Sequence, residues 1–546
     1  MTSPTRAARI AAACTIALAV PARAQDPLAK DPEGRLSSAL YRLAEAAERG
    51  RPLASASLPR ERTLRRYLDG GTGLVTVVAA LEEEADLERV AAAATTVGGW
   101  AEDHAGHLVR LRIPPLGLRA ISRTPGVRFV RLPQRPRRAE VVSEGVAALR
   151  AADFVARTGA DGRGIRVGIL DNDGYDGGGF GGARALMGRE LPEDTIVTSS
   201  AQVDFERYDV HGTACAEIVH DVAPGAQLVL ASIGDEVAFN RAIGQLLEQR
   251  VRIISMSLAW PNQRIDGLGY FEFVVDQVAA QGVLWVNAAG NSAGSYLRGG
   301  ATDVDRDGLL EFKGRELVPL RAYWGESSVS LRWDEISGRA AEDYDLLVVT
   351  DAFREDPRPS ADNPAVIASS SDPQNGAGYP WEYAEFELDD TRELYAVVVS
   401  RSSQAPGDYR RFSLWVDGEV LEGLAEPSGS VEAPADALGA LAVGAIDAGT
   451  LALRGFSSRG PTEDGRVKPD LAAPDGVSTS SYYWTSFTGT SAATPHVAGA
   501  AALVWSRDPQ LTLAQVRELL ERATPSQRGS KNNDVGYGPL DLSRIP

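Results

Sequence analysis

Four polar residues, far apart in the sequence, carry the side chains that acyl transfer needs. Each follows an apolar run or opens a predicted helix, and they are Asp171, His211, Asn291 and Ser491. A serine hydroxyl becomes a nucleophile when an imidazole takes its proton and a carboxylate orients that imidazole. A helix N-terminus and a side-chain amide can stabilise the oxyanion that forms. Each residue alone has an ordinary explanation as a capping or turn residue, but their matching positions favour a joint chemical role.

These residues need a scaffold that brings them together, and an alternation of strands and helices supplies it. Short, nearly continuous apolar strands are predicted at Ile165–Leu170, Gln227–Ile233, Val251–Ser257 and Val283–Ala289, with helices between them. This order predicts an α/β fold with a parallel sheet covered by helices on both faces. Functional side chains then gather at the carboxyl ends of the strands.

The helical pattern stops between residues 297 and 429, where apolar residues alternate with polar ones. Val329, Leu331 and Trp333 show this period of two. Several such strands, separated by Pro, Gly, Asp and Ser, predict an all-β sandwich inserted into the α/β domain. We expect its tryptophans, including Trp381 and Trp415, to lie in the sandwich core.

The N-terminal region has a different organisation. A basic start, an apolar core and the Ala22-Arg23-Ala24 pattern predict a signal peptide over residues 1–24. A strand, helix, strand, helix, strand order over about residues 70–133 predicts a ferredoxin-like α+β unit. The predicted domains are the signal peptide (1–24), a leading region (25–138), two parts of the α/β domain (139–296 and 430–546) and the inserted sandwich (297–429).

The net charge, apolar runs and cysteines of the chain limit its possible partners and cross-links. A net charge of −18 argues against a nucleic-acid partner, whose phosphates such a surface repels. No run after the signal peptide is long and apolar enough to predict a membrane span. Cys14 would leave with the signal peptide, so Cys215 is the single mature cysteine and no internal disulfide is expected. We expect an exported, bacterial-type monomer located in the periplasm or outside the cell.

Seven short strings resemble the subtilisin-like serine peptidases. They are V-G-I-L-D, H-G-T, S-M-S-L-A, A-A-G-N, F-S-S-R-G-P, L-A-A-P and G-T-S-A-A-T-P-H-V-A-G, within residues 141–542 outside the insertion. The resemblance implies that Asp171 orients the base His211, that Ser491 attacks and that Asn291 completes the oxyanion hole. It also implies a substrate-binding edge and a mainly apolar primary pocket, formed by Ser257, Leu258, Ala259, Ala288, Ala289 and Gly290.

The resemblance further implies a secreted serine endopeptidase that cleaves polypeptides and is made as a precursor. The α+β unit resembles the family's pro-domain, an intramolecular chaperone and inhibitor, and self-processing is expected between about Pro133 and Arg150. The insertion is similar to the pre-peptidase C-terminal type of β-sandwich. Two alternatives stay open: a catalytically dormant binding or adhesion protein on a peptidase fold, and a narrow processing enzyme with one partner.

Three features depart from the family pattern or add to it. Asp173 is a rival to Asp171 for the orienting role, and Glu217 places a charge near the base. The loop Asp303-Val304-Asp305-Arg306-Asp307-Gly308 resembles a calcium loop, although Gly314 stands where such loops carry a glutamate. The loop is therefore either a structural calcium site or a solvated acidic turn. No cofactor is expected for catalysis.

Overall fold

The computed structural model describes residues 31–50, 67–69, 71–133, 141–173, 178–202, 209–261, 263–264, 266–337, 339–360, 362–376, 378–401, 410–525 and 530–546. The predicted signal peptide lies outside these residues, as do residues 134–140 of the predicted processing segment. The chain divides into two compact units, Met1–Arg138 and Ala139–Pro546.

The first unit contains a four-stranded antiparallel sheet and three helices among its described residues. The helices are α1 (Ser38–Glu48), α2 (Leu87–Thr96) and α3 (Leu118–Ser122), and the strands are β1 (Val75–Leu81), β2 (Trp100–Ala105), β3 (Leu108–Ile113) and β4 (Val127–Arg131). From β1 onward they follow a β-α-β-β-α-β order, and the strands lie in the order β2-β3-β1-β4. Alternate residues of β1 are fully buried and pack against the helices.

The sequence analysis missed strand β2, so its prediction of a single strand between the two helices was wrong. This strand lies at the edge of the sheet, and five of its six residues are exposed. It therefore lacks the alternation of buried and exposed residues that made the other strands recognisable.

A seven-stranded parallel sheet forms the centre of the second unit in the described residues. Its order is β21-β20-β9-β8-β5-β7-β6. The strands are β5 (Arg166–Asn172), β6 (Ile196–Val197), β7 (Gln227–Ile233), β8 (Ile253–Met256), β9 (Leu284–Ala288), β20 (Ala440–Asp447) and β21 (Leu471–Asp475). Every pairing between these strands is parallel. The parallel sheet predicted from the sequence is confirmed.

Helices cover both faces of this sheet, which explains the continuous apolar runs in its strands. They are α4 (Glu144–Ala148), α5 (Ala151–Thr158), α6 (Ala183–Leu186), α7 (His211–Val222), α8 (Glu236–Glu248), α9 (Tyr270–Ala280), α10 (Thr490–Arg507) and α11 (Leu513–Arg522). Helix α10 is buried from Thr490 to Trp505 and packs against α7 and the strands. Its many alanines allow this close approach, so the helix start is held firmly at the sheet.

Two five-stranded antiparallel sheets lie between β9 and β20 in the chain. Their strands are β10 (Tyr296–Thr302), β11 (Glu311–Phe312), β12 (Val318–Ala322), β13 (Gly325–Trp333), β14 (Tyr344–Val349), β15 (Val366–Ser370), β16 (Trp381–Leu388), β17 (Arg392–Ser400), β18 (Arg411–Val416) and β19 (Gly418–Val420). The orders are β11-β10-β18-β13-β16 and β15-β14-β17-β12-β19. Apolar residues of both sheets share one core. The described part of the chain contains no helix long and apolar enough to cross a membrane.

Candidate active site

Asp171 and His211 form a hydrogen-bonded pair at the carboxyl end of the parallel sheet. Asp171 lies near the end of β5, and His211 is the first residue of α7. The His211 Nδ1 atom is 2.7 Å from the Asp171 Oδ2 atom. The other carboxylate oxygen accepts hydrogen bonds from the backbone N–H groups of Asn172 and Gly179, both at 2.9 Å. The fully buried carboxylate therefore holds the imidazole in one orientation.

The electrostatic surroundings favour the protonated imidazole. Burial alone would lower the pKa of His211, but the charge of Asp171, its hydrogen bond and the charge of Asp209 outweigh it, so the pKa is raised. The backbone N–H of His211 also donates to Asp209 Oδ1 at 2.9 Å. A base with a raised pKa accepts a proton more readily.

Asp173 does not replace Asp171 in this pair. The orienting hydrogen bond joins the His211 ring to Asp171. The carboxylate of Asp173 instead lies beside Gly234, where an added Cβ would meet its Oδ2 at 2.4 Å. Among the two candidates, Asp171 has the geometry for orienting the base.

Ser491 is the second residue of α10, so it lies where the helix backbone N–H groups are unpaired. Its side-chain oxygen is 3.3 Å from the backbone carbonyl of Ser257, to which it donates. Its own carbonyl accepts a hydrogen bond from the Ser257 hydroxyl at 3.1 Å. The Cys215 thiol, 3.6 Å away, donates to the same carbonyl. Ser257, which follows β8, and Cys215, on α7, thus hold the Ser491 backbone at the helix start.

Asn291 lies directly beside the helix start that carries Ser491. Its Oδ1 atom accepts hydrogen bonds from the Thr490 backbone N–H at 2.9 Å and the Thr490 hydroxyl at 3.0 Å. Because the oxygen is engaged there, the amide nitrogen is the part of the side chain that remains to donate to a ligand. Gly489 has a φ of +119°, and a Cβ there would lie 3.1 Å from Asn291 Nδ2. Glycine is therefore required for this approach.

A cleft of about 1050 Å³ opens beside Ser491 and Asn291. The predicted substrate-binding residues Ser257, Leu258 and Ala259 line it, together with Ala288 and Gly290. Ala289 does not line this cleft: the residue is fully buried, and its N–H donates to Val443. The prediction for Ala289 was wrong because successive residues of an extended chain point to opposite sides.

Two buried carboxylates lie close to this site. Glu217, on α7, accepts from the backbone N–H groups of Ser480 and Ser481 at 2.5 and 3.0 Å, and burial raises its pKa to about 7. Glu432 lines the cleft and accepts from the Ser292 hydroxyl at 2.5 Å; burial raises its pKa to about 7 as well. The sequence analysis missed Glu432, which lies outside the strings that carry the family resemblance.

The acidic loop after β10 brings more carboxylates together than its sequence spacing suggested. Oxygens of Asp303, Asp305 and Asp307 lie within 4.8 Å of one another, and Asp305, Glu311 and Glu316 form a second such group. Burial, followed by the neighbouring carboxylates, raises the pKa of Glu316. Glu311 and Glu316 were not predicted as ligands because neither is the twelfth residue of the loop, where calcium loops carry a glutamate.

The C-terminal part of this site has a recognisable family. Residues 424–538 match the family model described as the subtilase family. This stretch contains Ser491 and all of α10. We call residues 424–538 the subtilase segment. Asp171, His211 and Asn291 precede the matched subtilase segment. Asn291 contacts it through Thr490, and the His211 ring, which is bound to Asp171, lies edge-on to Phe487 with ring centroids 5.4 Å apart.

Individual relatives match this chain over limited lengths. Serine protease AprX of Bacillus subtilis (strain 168) is 35% identical over 156 residues, which are 23% of this chain and 35% of that protein. Subtilisin amylosacchariticus of Bacillus subtilis subsp. amylosacchariticus is 42% identical over 104 residues, 18% of this chain and 25% of that protein. The matches thus span well under half of either relative. The solved structure of the Clostridium perfringens CspB protease aligns with 74% of this chain and 98% of its own at 16% identity and a TM-score of 0.49.

Proposed function

We propose that this protein is a serine endopeptidase that hydrolyses peptide bonds through Asp171, His211 and Ser491. The observation that carries the proposal is the 2.7 Å bond between Asp171 and His211 at the sheet edge where Ser491 opens α10. The subtilase segment and its relatives support the same chemistry.

Each group has a defined part in the proposed reaction. His211 removes the Ser491 hydroxyl proton as the serine oxygen attacks the substrate carbonyl, and the Asp171 carboxylate stabilises the imidazolium that forms. The Asn291 amide and the Ser491 backbone N–H donate to the oxyanion. His211 then protonates the leaving amine, and water hydrolyses the acyl-enzyme by the same route.

Extended polypeptides fit this site as substrates. Ser257, Leu258 and Ala259 follow β8 without belonging to it, and they line the cleft beside the serine. A substrate strand pairing with this backbone would place its scissile carbonyl near Ser491. Ala288 and Gly290 also line the cleft and keep that part of it free of large side chains.

We also propose that the protein is exported and matures from a precursor. The signal-like residues 1–24 support export. The β-α-β-β-α-β order of the first unit supports a pro-domain that inhibits the enzyme until cleavage between about Pro133 and Arg150. The shared core of the two antiparallel sheets supports an inserted β-sandwich domain over residues 297–429. We propose a monomeric mature enzyme.

A structural calcium ion is a separate proposal for the loop after β10. Aspartate oxygens are ligands that Ca²⁺ prefers, and the mutual repulsion of the clustered carboxylates would fall when a cation binds. Metal analysis after dialysis should find calcium in the wild type and less in Asp305→Ala. A wild type without calcium would show that the loop is a solvated acidic turn.

Replacing Ser491 with alanine tests the peptidase directly. The variant should lose peptide hydrolysis, and its purified precursor should stay uncleaved where the wild type matures. A folded, mature wild type that binds polypeptides without cleaving them would favour the dormant binding protein. Maturation of the isolated Ser491→Ala precursor would refute self-cleavage.

A cleavage profile on a peptide library separates a broad peptidase from a narrow processing enzyme.

A further inference from the structure

One antiparallel sheet turns its polar face toward the candidate active-site cleft. On β13, Val329 and Leu331 point into the core of the inserted region, while Ser328 and Ser330 line the cleft. Strands β16 and β18 are paired with β13 and show the same alternation. The inserted region therefore supplies one wall of the cleft that contains Ser491.

This wall is acidic. All the charged side chains that line the cleft in the described residues are carboxylates, namely Glu326, Glu385, Asp417, Glu419 and Glu432. Four of them come from the inserted region, and we call Glu326, Glu385, Asp417 and Glu419 the acidic wall. Arg321 lies nearby but is paired with Glu419 at 2.8 Å and with Glu393 at 3.4 Å. The remaining three wall carboxylates have no cation bridged to them among the described ion pairs.

Uncharged groups on the same wall can also contact a ligand. Trp415 is 3% exposed and Ser330 is 2% exposed, yet Trp415 Nε1 and Ser330 Oγ have no hydrogen-bond partner in the described structure. Trp415 was expected in the sandwich core; it is buried as expected, and it also lines the cleft. Tyr323 and Tyr383 line the cleft with 45% and 40% of their surface exposed. Aromatic faces beside carboxylates attract ammonium and guanidinium groups.

We propose that the acidic wall selects polypeptide substrates that carry lysine or arginine close to the bond to be cleaved. This inference rests on the proposed peptidase function and adds the substrate class. A cleft lined by one sign of charge focuses its field and concentrates ligands of opposite charge. The exposed rings of Tyr323 and Tyr383 add aromatic faces that such a cation can contact.

Matched peptides test the proposal on the mature enzyme. A neutral fluorogenic peptide is prepared with one lysine at each successive position, and each version is paired with its acetyl-lysine counterpart. At the preferred position the lysine peptide should have a kcat/KM roughly tenfold above its acetylated partner, since several exposed charge pairs each contribute a small amount. The ratio should fall toward one in 0.5 M NaCl because salt screens exposed charges.

The combined variant Glu326→Gln, Glu385→Gln, Asp417→Asn should lose most of this ratio. A control with Glu193→Gln, Glu248→Gln and Glu355→Gln neutralises three exposed carboxylates that do not line the cleft. The control should keep the ratio, which separates local contacts from net charge. The rate of labelling by a small uncharged phosphonate should be the same in both variants and shows that each is folded.

The outcomes distinguish the two proposals. If the wild type is labelled by the phosphonate but cleaves both members of each pair equally, the acidic wall does not select basic substrates and the peptidase stands. A ratio that survives in the wall variant, or falls equally in the control, also overturns the inference. If the folded mature wild type is neither labelled nor active, the peptidase proposal fails and the substrate class fails with it.

Discussion

The two sides of the cleft differ in how their carboxylates are held: one side buries and hydrogen-bonds them, and the other exposes them to solvent. On the parallel-sheet side, Asp171 is fully buried and each of its oxygens is engaged by a named hydrogen-bond donor. On the antiparallel-sheet side, Glu326 and Glu385 are exposed to solvent. Proton transfer needs groups fixed to a fraction of an ångström, whereas attraction of a charged substrate needs charges that a ligand can reach. Catalysis and substrate selection can therefore depend on different sheets of one unit.

Removing the Asp171 carboxylate should cause the largest loss of catalytic rate. Asp171→Asn should lower kcat by roughly 10⁴-fold because the amide favours the wrong imidazole tautomer and cannot stabilise the imidazolium. Steady-state kinetics on the mature enzyme measure this loss. Asp173→Asn is the matched control and should stay within a few-fold of the wild type. A larger loss in Asp173→Asn than in Asp171→Asn would show that Asp173, rather than Asp171, orients the base.

Removing the oxyanion donor should have the next largest effect. Asn291→Ala should lower kcat by roughly 10²–10³-fold with little change in KM, since the amide acts mainly on the transition state. Asn291→Asp keeps an acceptor for the Thr490 N–H but lacks donors, so it should be similarly impaired. If Asn291→Asp retained full activity, Asn291 would serve only to hold Thr490.

The buried carboxyl group of Glu217, on the parallel-sheet side, should make the free energy of unfolding depend on pH. The pKa of Glu217 is raised to about 7, so the folded state retains a proton between about pH 4.5 and 7 that the unfolded state releases. Stability from this group is therefore complete below pH 4.5 and falls as the pH rises through 7, by about 3 kcal/mol at most.

Urea unfolding at pH 4.5 and pH 8, in the inactive Ser491→Ala background, measures this effect. The drop in the free energy of unfolding between the two pH values should be smaller for Glu217→Gln. The exposed Glu248→Gln change should leave the drop as it is. An unchanged drop in Glu217→Gln would mean that Glu217 is already ionised at low pH in the folded protein.

The smallest expected effect is the coupling between the two sides. The wall carboxylates share no described hydrogen-bond partner with Asn291. Combining the triple wall variant with Asn291→Ala should therefore give additive changes in the free energy derived from kcat/KM for a lysine peptide, within about 0.5 kcal/mol. A coupling well above that value would show that the wall positions the substrate for the oxyanion hole rather than selecting it independently.

The parallel-sheet side was largely predictable from the sequence. Strands buried on both faces leave continuous apolar runs, and polar residues that interrupt them at the carboxyl end, such as Asp171 and Asn291, stand out. The family strings supplied the pairing of distant segments that periodicity alone does not show. Ala289 was misplaced because a string of small residues does not indicate which of them points into the cleft.

The wall side could not be predicted in the same way. Period-two strands show that one face of a sheet is polar, but they do not show what that face meets. Trp415 is buried, as its residue type indicated, but its sequence did not show that it also lines the cleft. Glu311 and Glu316 joined the acidic loop through the fold of the chain rather than through their spacing. Contacts between distant surfaces decided each of these cases.

The most direct test of the central claim is to find which residue an active-serine phosphonate modifies. Mature wild-type protein is labelled, digested and mapped by mass spectrometry. We expect a single adduct on Ser491, formed far more slowly in His211→Ala because the hydroxyl then lacks its base. An adduct on another residue, or equal labelling of the wild type and His211→Ala, would contradict the assignment of Ser491 as a nucleophile activated by His211.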